Sequence, residues 1–329
     1  MICVNKYIQF IIISLISIAG MYFAFKGENI SEIFFHLSQI NLNGVLIAVM
    51  LLILSCIVRA YRWQLILKPF DYITLKSVFS ATMIGYFGNS IMAFRLGELL
   101  KSYSVSRGTK IKMMQAFGTV ILERTLDIIA VLLMFFFLIP WFPFEDSYVA
   151  YGTLVFSIGF LIILFVIFLL IKYNLIQKLE HIEWFSHGLG LAFLKASKKV
   201  FEGLTSLKKI ESPWKIIMSS LIIWSIYYIE TIILIYACHI DLSMIEIGIL
   251  LVLGSIAFGL PALPGSAGTY DAGIKYSLLF VFGISNYKAM NYTIVSHSVA
   301  LFPPMLIGLI YFVISNIKIR ELQNLELNK

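Results

Sequence analysis

MIGYFGNSIMAFRLGELLKSYSVSR, residues 83–107, places an arginine and a glutamate, Arg95 and Glu98, behind an apolar run that contains Gly85, Gly88 and Asn89. In a soluble protein such a pair would be one ordinary helix face. Here charge is scarce. Of 329 residues, 60% are hydrophobic, 15% aromatic and 13% charged, and the mean hydropathy is +0.92. Soluble domains carry about 25% charge, so the chain is read as a membrane protein. The stretch is then either a loop in water or a pair of charges held at membrane depth.

A helix needs about 20 apolar residues to cross a bilayer. Uninterrupted spans are expected at 8–25, 43–66, 117–139, 149–171, 214–238 and 291–315. The first is too long in its apolar part for a cleaved signal peptide and is read as a retained helix. Two further apolar stretches, 77–107 and 245–283, are interrupted: one around Asn89 and Gly97, the other by Pro261, Pro264, Gly265 and Gly268.

Loop charge orients these segments, because basic loops stay on the cytoplasmic side. Segment 59–76 holds Arg59, Arg62, Lys68 and Lys76 against Asp71, and segment 101–112 holds Lys101, Arg107, Lys110 and Lys112 with no acid. Both belong inside, so 77–107 enters and leaves by one face, as a re-entrant hairpin. Segments 140–148 and 239–246 carry acids without a base and belong outside, whereas 172–215 is lysine-rich and returns inside. With Lys318 and Arg320 in a cytoplasmic tail, the parity closes only if 245–283 is a second hairpin entered from outside. The expected fold is therefore an all-α polytopic membrane protein in one domain, 1–329. It has about six full transmembrane helices and two opposed re-entrant hairpins, similar to an inverted repeat. Such repeats place substrate sites at broken helices near the midplane.

Residues 173–212 differ in character. Leu189, Phe193, Ala196, Val200, Leu204 and Leu207 recur at nearly helical spacing, with lysines largely elsewhere on the wheel. That predicts an amphipathic helix on the cytoplasmic surface, with a solvated linker as the plainer reading of 173–188. Trp63, Trp141 and Trp214 fall near span ends, as interfacial anchors do. Cys3, Cys56 and Cys238 are scattered and show no metal spacing. The net charge of +7 sits in short blocks between spans, which suits anionic headgroups and not nucleic acid.

The candidate substrate-binding residues are Arg95, Glu98, Glu123, Arg124, Asp127 and Asp271. Arginine holds phosphate oxygens bidentately and stays charged, so Arg95 is expected to face a phosphate with Glu98 orienting it. Gly97 admits a close backbone approach. Glu123 and Asp127 are i,i+4 neighbours, and Arg124 shares a face with Asp127. Three charges in five residues are costly in lipid unless paired or hydrated. The competing reading makes both clusters shallow ion pairs in water. Lys275 is the expected partner of Asp271, Glu230 is a candidate partner for a cavity arginine, and His297 is a packing histidine or a proton relay. Asn89, Gly97, Pro261, Pro264, Gly265 and Gly268 mark the hairpin breaks. No metal or cofactor site and no catalytic constellation is expected.

In order along the chain stand Arg59-x-x-Arg62-Trp63, Asn89, Arg95-Leu96-Gly97-Glu98, Glu123-Arg124-x-x-Asp127 and Leu260-Pro261-x-x-Pro264-Gly265-x-x-Gly268-x-x-Asp271. This set resembles the transmembrane region of the lysylphosphatidylglycerol synthases, a family of flippase-like membrane proteins, over residues 51–312. The resemblance implies a bacterial or archaeal inner-membrane protein with cytoplasmic termini. It would translocate an anionic phospholipid or a polyprenyl-phosphate-linked lipid, alone or beside a lipid-modifying or glycan-assembly enzyme. Ala93 stands where the family has proline, Asp271 where it has glutamate, and His297 near an expected arginine. The soluble aminoacyl-transferring domain of fused members is not expected, so neither is lysyl transfer. A membrane-embedded transferase and a small-solute transporter or scaffold are the alternatives.

Overall fold

The computed structural model describes residues 30–92, 95–142, 210–260 and 263–315, with isolated positions at 15, 18–20, 22, 158, 159, 162 and 317. Apart from those positions, the expected spans at 8–25 and 149–171 lie outside the described residues. So do Pro261, the tail and all but the end of segment 173–212.

Every element among the described residues is helical: α1 (Ile30–Leu37), α2 (Leu42–Leu67), α3 (Leu75–Ile91), α4 (Gly97–Ser106), α5 (Met113–Leu138), α6 (Pro213–Ala237), α7 (Met244–Gly259), α8 (Thr269–Tyr276) and α9 (Asn286–Ile314). Three of them, α2, α6 and α9, are long and apolar enough to cross a membrane. The ends are set locally. Asn41 caps α2 by accepting the N–H groups of Asn43 and Gly44, and Ser243 and Glu246 form a reciprocal capping box on α7. Each device satisfies donors that a helix start leaves open. The outward faces stay apolar: Met50 and Leu54 on α2, Leu221 on α6, and Leu306, Ile310 and Val313 on α9 are all exposed. Water would penalise such faces, whereas lipid tails do not.

Helices α2 and α6 run antiparallel side by side. Gly44 lies against Ala237, Arg59 reaches Tyr227 and Arg62 reaches Ser220. Two shorter helical hairpins pack around this pair. In the first, α3 and α4 are joined by a break near Arg95. They approach so closely that a Cβ on Gly97 would collide with the Gly85 carbonyl and the Asn89 amide. In the second, α7 and α8 pack through Gly254 on Ile274 and Gly273 on Ala257. At 1.5 Å per residue, α3 and α7 are roughly 25 Å long, somewhat less than a hydrocarbon core of about 30 Å.

The bases of the hairpins lie at opposite ends of α2. Asp71, just after α2, accepts the Lys110 amide at 3.0 Å, which ties the two ends of the first hairpin together. At the other end, Lys288 donates to the His239 carbonyl at 2.6 Å, and Asn41 N–H to that of Ala237 at 3.1 Å. The two breaks meet in between, where Arg95 donates to the Phe258 carbonyl at the end of α7. Helix α9 braces both hairpins, with Tyr311 edge-on to Phe79 of α3 and Ser296 accepting from Tyr270 of α8.

Trp141 and Trp214 are exposed, as interfacial anchors are. Trp63 is not an anchor. It is wholly buried, because its face of α2 packs on α5, where its indole N–H donates to Thr119 at 2.9 Å.

Candidate functional site

Where α2 crosses α5, two charged ladders interlock. Arg59 and Arg62 are three residues apart on one face of α2, and Glu123 and Asp127 are four apart on one face of α5. Arg59 donates to Asp127 at 2.6 Å and to Glu123 at 3.3 Å. Arg62 holds the other Asp127 oxygen at 2.7 Å and lies 3.5 Å from Glu123. From α4, Lys101 reaches Glu123 at 2.6 Å and sits 4.0 Å over the Trp63 ring, a cation–π contact strengthened by burial. Arg124 turns the other way and binds Glu98, again at 2.6 Å.

This network is deep. Arg62 is wholly buried, and Arg59, Lys101 and Glu123 nearly so. Arg59 lies eight residues before the end of α2, or about 12 Å along its axis. Charges at such depth persist only when paired, and here the pairing is incomplete. Four cations, Arg59, Arg62, Lys101 and Arg124, face three carboxylates, Glu98, Glu123 and Asp127. Among the described residues the buried Nε atoms of Arg59 and Arg62 and Oδ1 of Asn89 have no hydrogen-bond partner. Arg59, Asn89, Glu98, Lys101 and Arg124 line a cavity with Tyr86. Its volume is about 10 Å³, room for roughly one water.

The site-forming residues expected from the sequence separate into three places. Glu98, Glu123, Arg124 and Asp127 all join the network. Asp127, which shares a helix face with Arg124, is taken chiefly by Arg59 and Arg62, with Arg124 at 3.7 Å. Arg95 stands apart at the hairpin tip. It caps the last turn of α7 through the Phe258 carbonyl and lies 5.6 Å over the Phe258 ring. Its partner is that carbonyl, and Glu98 is taken by Arg124. Arg95 itself sits at φ 55°, a left-handed backbone that strains a residue with a side chain.

Asp271 forms the third place. One oxygen accepts the Gly268 amide at 2.8 Å, capping α8. The other lies 2.6 Å from His297 Nδ1. The other ring nitrogen is 2.9 Å from the Gly265 carbonyl. Gly265 and Gly268 both have positive φ, which is how the chain turns into α8. Glu230 is buried but makes no ion pair among the described residues, so its expected arginine partner is not found there.

Arg59, Arg62 and Lys101, expected in cytoplasmic segments, instead supply three of the network's cations. One signal for them is in the sequence. Arg59 and Arg62 fall inside the apolar run 43–66, three apart and so on one helix face, as the acids of α5 are at four apart.

Two comparisons bear on what this arrangement belongs to. Over 142 residues the chain is 30% identical to the UPF0104 membrane protein MJ1595 of Methanocaldococcus jannaschii, and the overlap spans 42% of each chain. It thus covers about two fifths of that relative's length. A family model described as the lysylphosphatidylglycerol synthase TM region matches residues 10–308, taking in both hairpins and the charged network. The chain belongs to the lysylphosphatidylglycerol synthase transmembrane-region family.

Proposed function

We propose that the protein is a lipid translocase that carries the phosphate-bearing headgroup of an anionic lipid, phospholipid or polyprenyl-phosphate-linked, between leaflets of the cytoplasmic membrane. Six spans and two re-entrant hairpins entered from opposite faces would form the body, with both termini cytoplasmic. The observation that carries this reading is the surplus of buried positive charge beside the meeting hairpin tips. A low-dielectric site with more cations than carboxylates favours an anion. Guanidinium groups match a phosphate in shape as well as charge. The tails would stay in the bilayer, so only the headgroup needs a polar path.

Arg124 is the cation best placed to receive the phosphate, because its side chain is 31% exposed while Arg59 and Arg62 are locked to Asp127. A phosphate would displace Glu98 from Arg124. A cavity that holds about one water must widen to admit it, so the form described is a closed one. Arg95 joins the tips of the two hairpins and would regulate that widening. A lipid-modifying or glycan-assembly enzyme is the expected functional partner.

The test is reconstitution in vesicles of phosphatidylethanolamine and phosphatidylglycerol with a short-chain fluorescent phosphatidylglycerol, its leaflet read by dithionite quenching. Wild-type protein should equilibrate the probe, and Arg124→Gln should slow it at least tenfold while remaining monodisperse. Equal rates in the two proteins would sink the assignment. A chemically altered lipid would point to a transferase instead.

A further inference from the structure

We propose that Asp271 and His297 form a proton-binding site that clamps the second hairpin to α9 when occupied and frees it when empty. The geometry requires a shared proton. Both nitrogens of the His297 ring face oxygen acceptors, the Asp271 carboxylate at 2.6 Å and the Gly265 carbonyl at 2.9 Å. A neutral imidazole has only one N–H to give. Without a further proton, a ring lone pair would oppose an oxygen lone pair in either tautomer, at the Asp271 carboxylate (2.6 Å) or at the Gly265 carbonyl (2.9 Å). The bound state therefore holds one proton more than a neutral ring beside a carboxylate.

What that proton joins is mechanically relevant. His297 is on α9, Gly265 is in the hairpin break and Asp271 opens α8, so a single ring fastens three pieces of chain. Gly265 also rests against Leu301 of α9. Asp271 is committed on its other oxygen to Gly268, which fixes the carboxylate for the ring. Tyr270 stacks at a tilt 5.1 Å from the imidazole and sends its hydroxyl to Ser296. Ionisable groups on the elements packed around the clamp include Lys275 on α8, and Tyr292 on α9 and Glu230 on α6, whose charges act on Tyr270 beside it. Among the described residues Asp271 is the ion-pair partner of His297.

The sign follows from the proton count. The clamped state binds one more proton than the released state, so low pH favours the clamp and rising pH opens it. Above its midpoint, the opening equilibrium grows by up to roughly tenfold per pH unit. Any link to lipid movement rests on the translocase reading, whereas the clamp itself does not.

Two measurements on the full chain in nanodiscs test it. Nitrogen-15 spectra of the histidine-labelled protein, with His297 assigned by its loss in His297→Gln, should show a doubly protonated ring that loses one proton as pH rises. Hydrogen exchange of residues 263–276, corrected for intrinsic rates, should lose protection by roughly tenfold per pH unit above that midpoint. Protection should be pH-independent in His297→Gln and in Asp271→Asn, each of which keeps hydrogen-bonding groups but needs no added proton. A ring that stays neutral throughout, or the same pH response in both variants as in wild type, overturns the clamp. Translocation of the fluorescent phosphatidylglycerol across the same pH range separates the two proposals. A clamp that titrates in a protein that moves no lipid would refute the translocase alone. Translocation indifferent to pH, with the clamp titrating, would refute their coupling.

Discussion

Glu123 meets Lys101 on one oxygen and Arg59 and Arg62 on the other, so it ties the ammonium of α4 to the guanidinium pair of α2. Replacing it with glutamine would leave Lys101 buried and without its ion-pair partner among the described residues. Removing one partner from a buried pair costs about 3–5 kcal/mol. Glu123→Gln should lower stability by that order, read as thermal unfolding of detergent-solubilised protein. Adding Lys101→Met should recover a large part of the loss, since the stranded ammonium goes with it. A double variant no more stable than the single would mean that the cost lies elsewhere. Arg95 presents the opposite balance. Its guanidinium caps α7, but its backbone sits at φ 55°. Both Arg95→Ala and Arg95→Gly lose the cap, yet only glycine adopts that backbone freely. The glycine variant should therefore be the more stable of the two by about 1 kcal/mol. The reverse order in matched unfolding measurements would show that the backbone relaxes once the guanidinium is gone.

At the scale of the helix, the hairpins depend on backbones that nearly touch. Gly97 faces the Gly85 carbonyl and Asn89, so a side chain there must push α3 and α4 apart. Gly97→Val should cost at least about 1–3 kcal/mol, the usual range for overpacking, and detach Glu98 from Arg124. A variant that unfolds at the wild-type temperature would mean that the two helices separate at little cost. These breaks were legible in the sequence because glycine and proline interrupt apolar runs too long for a loop. The network was legible only in part. Counting charge by segment assigned Arg59, Arg62 and Lys101 to water, although the first two lie within an apolar run and share a helix face. Lys101 had no such signal. It is buried because α4 folds back on α3 and sets it between Trp63 of α2 and Glu123 of α5. The partner of Glu98 is hidden from the sequence for a similar reason. Arg95 is its neighbour in sequence, but the start of α4 turns Glu98 toward α5.

For the molecule as a whole, orientation follows from which loops share an end. Correcting the positions of Arg59, Arg62 and Lys101 weakens the basic surplus of the first two segments without reversing it. Lys68 and Lys76 still outnumber Asp71, and Arg107, Lys110 and Lys112 remain. The hydrogen bond from Lys110 to Asp71 then places the α2–α3 and α4–α5 loops together. The bond from Lys288 to His239 does the same for the α6–α7 loop and the start of α9 at the far end of α2. If these ends lie on opposite membrane faces, single cysteines should report it. Tyr72 is 78% exposed and Asp241 is exposed at the other end. With Cys3, Cys56 and Cys238 replaced, Tyr72→Cys should react with a membrane-impermeant maleimide only after cells are permeabilised. Asp241→Cys should react in intact cells. Labelling of both from one side would mean that the two hairpins enter through the same face. Opposed access to a common site would then be lost, and with it the geometric basis for carrying a headgroup from one leaflet to the other.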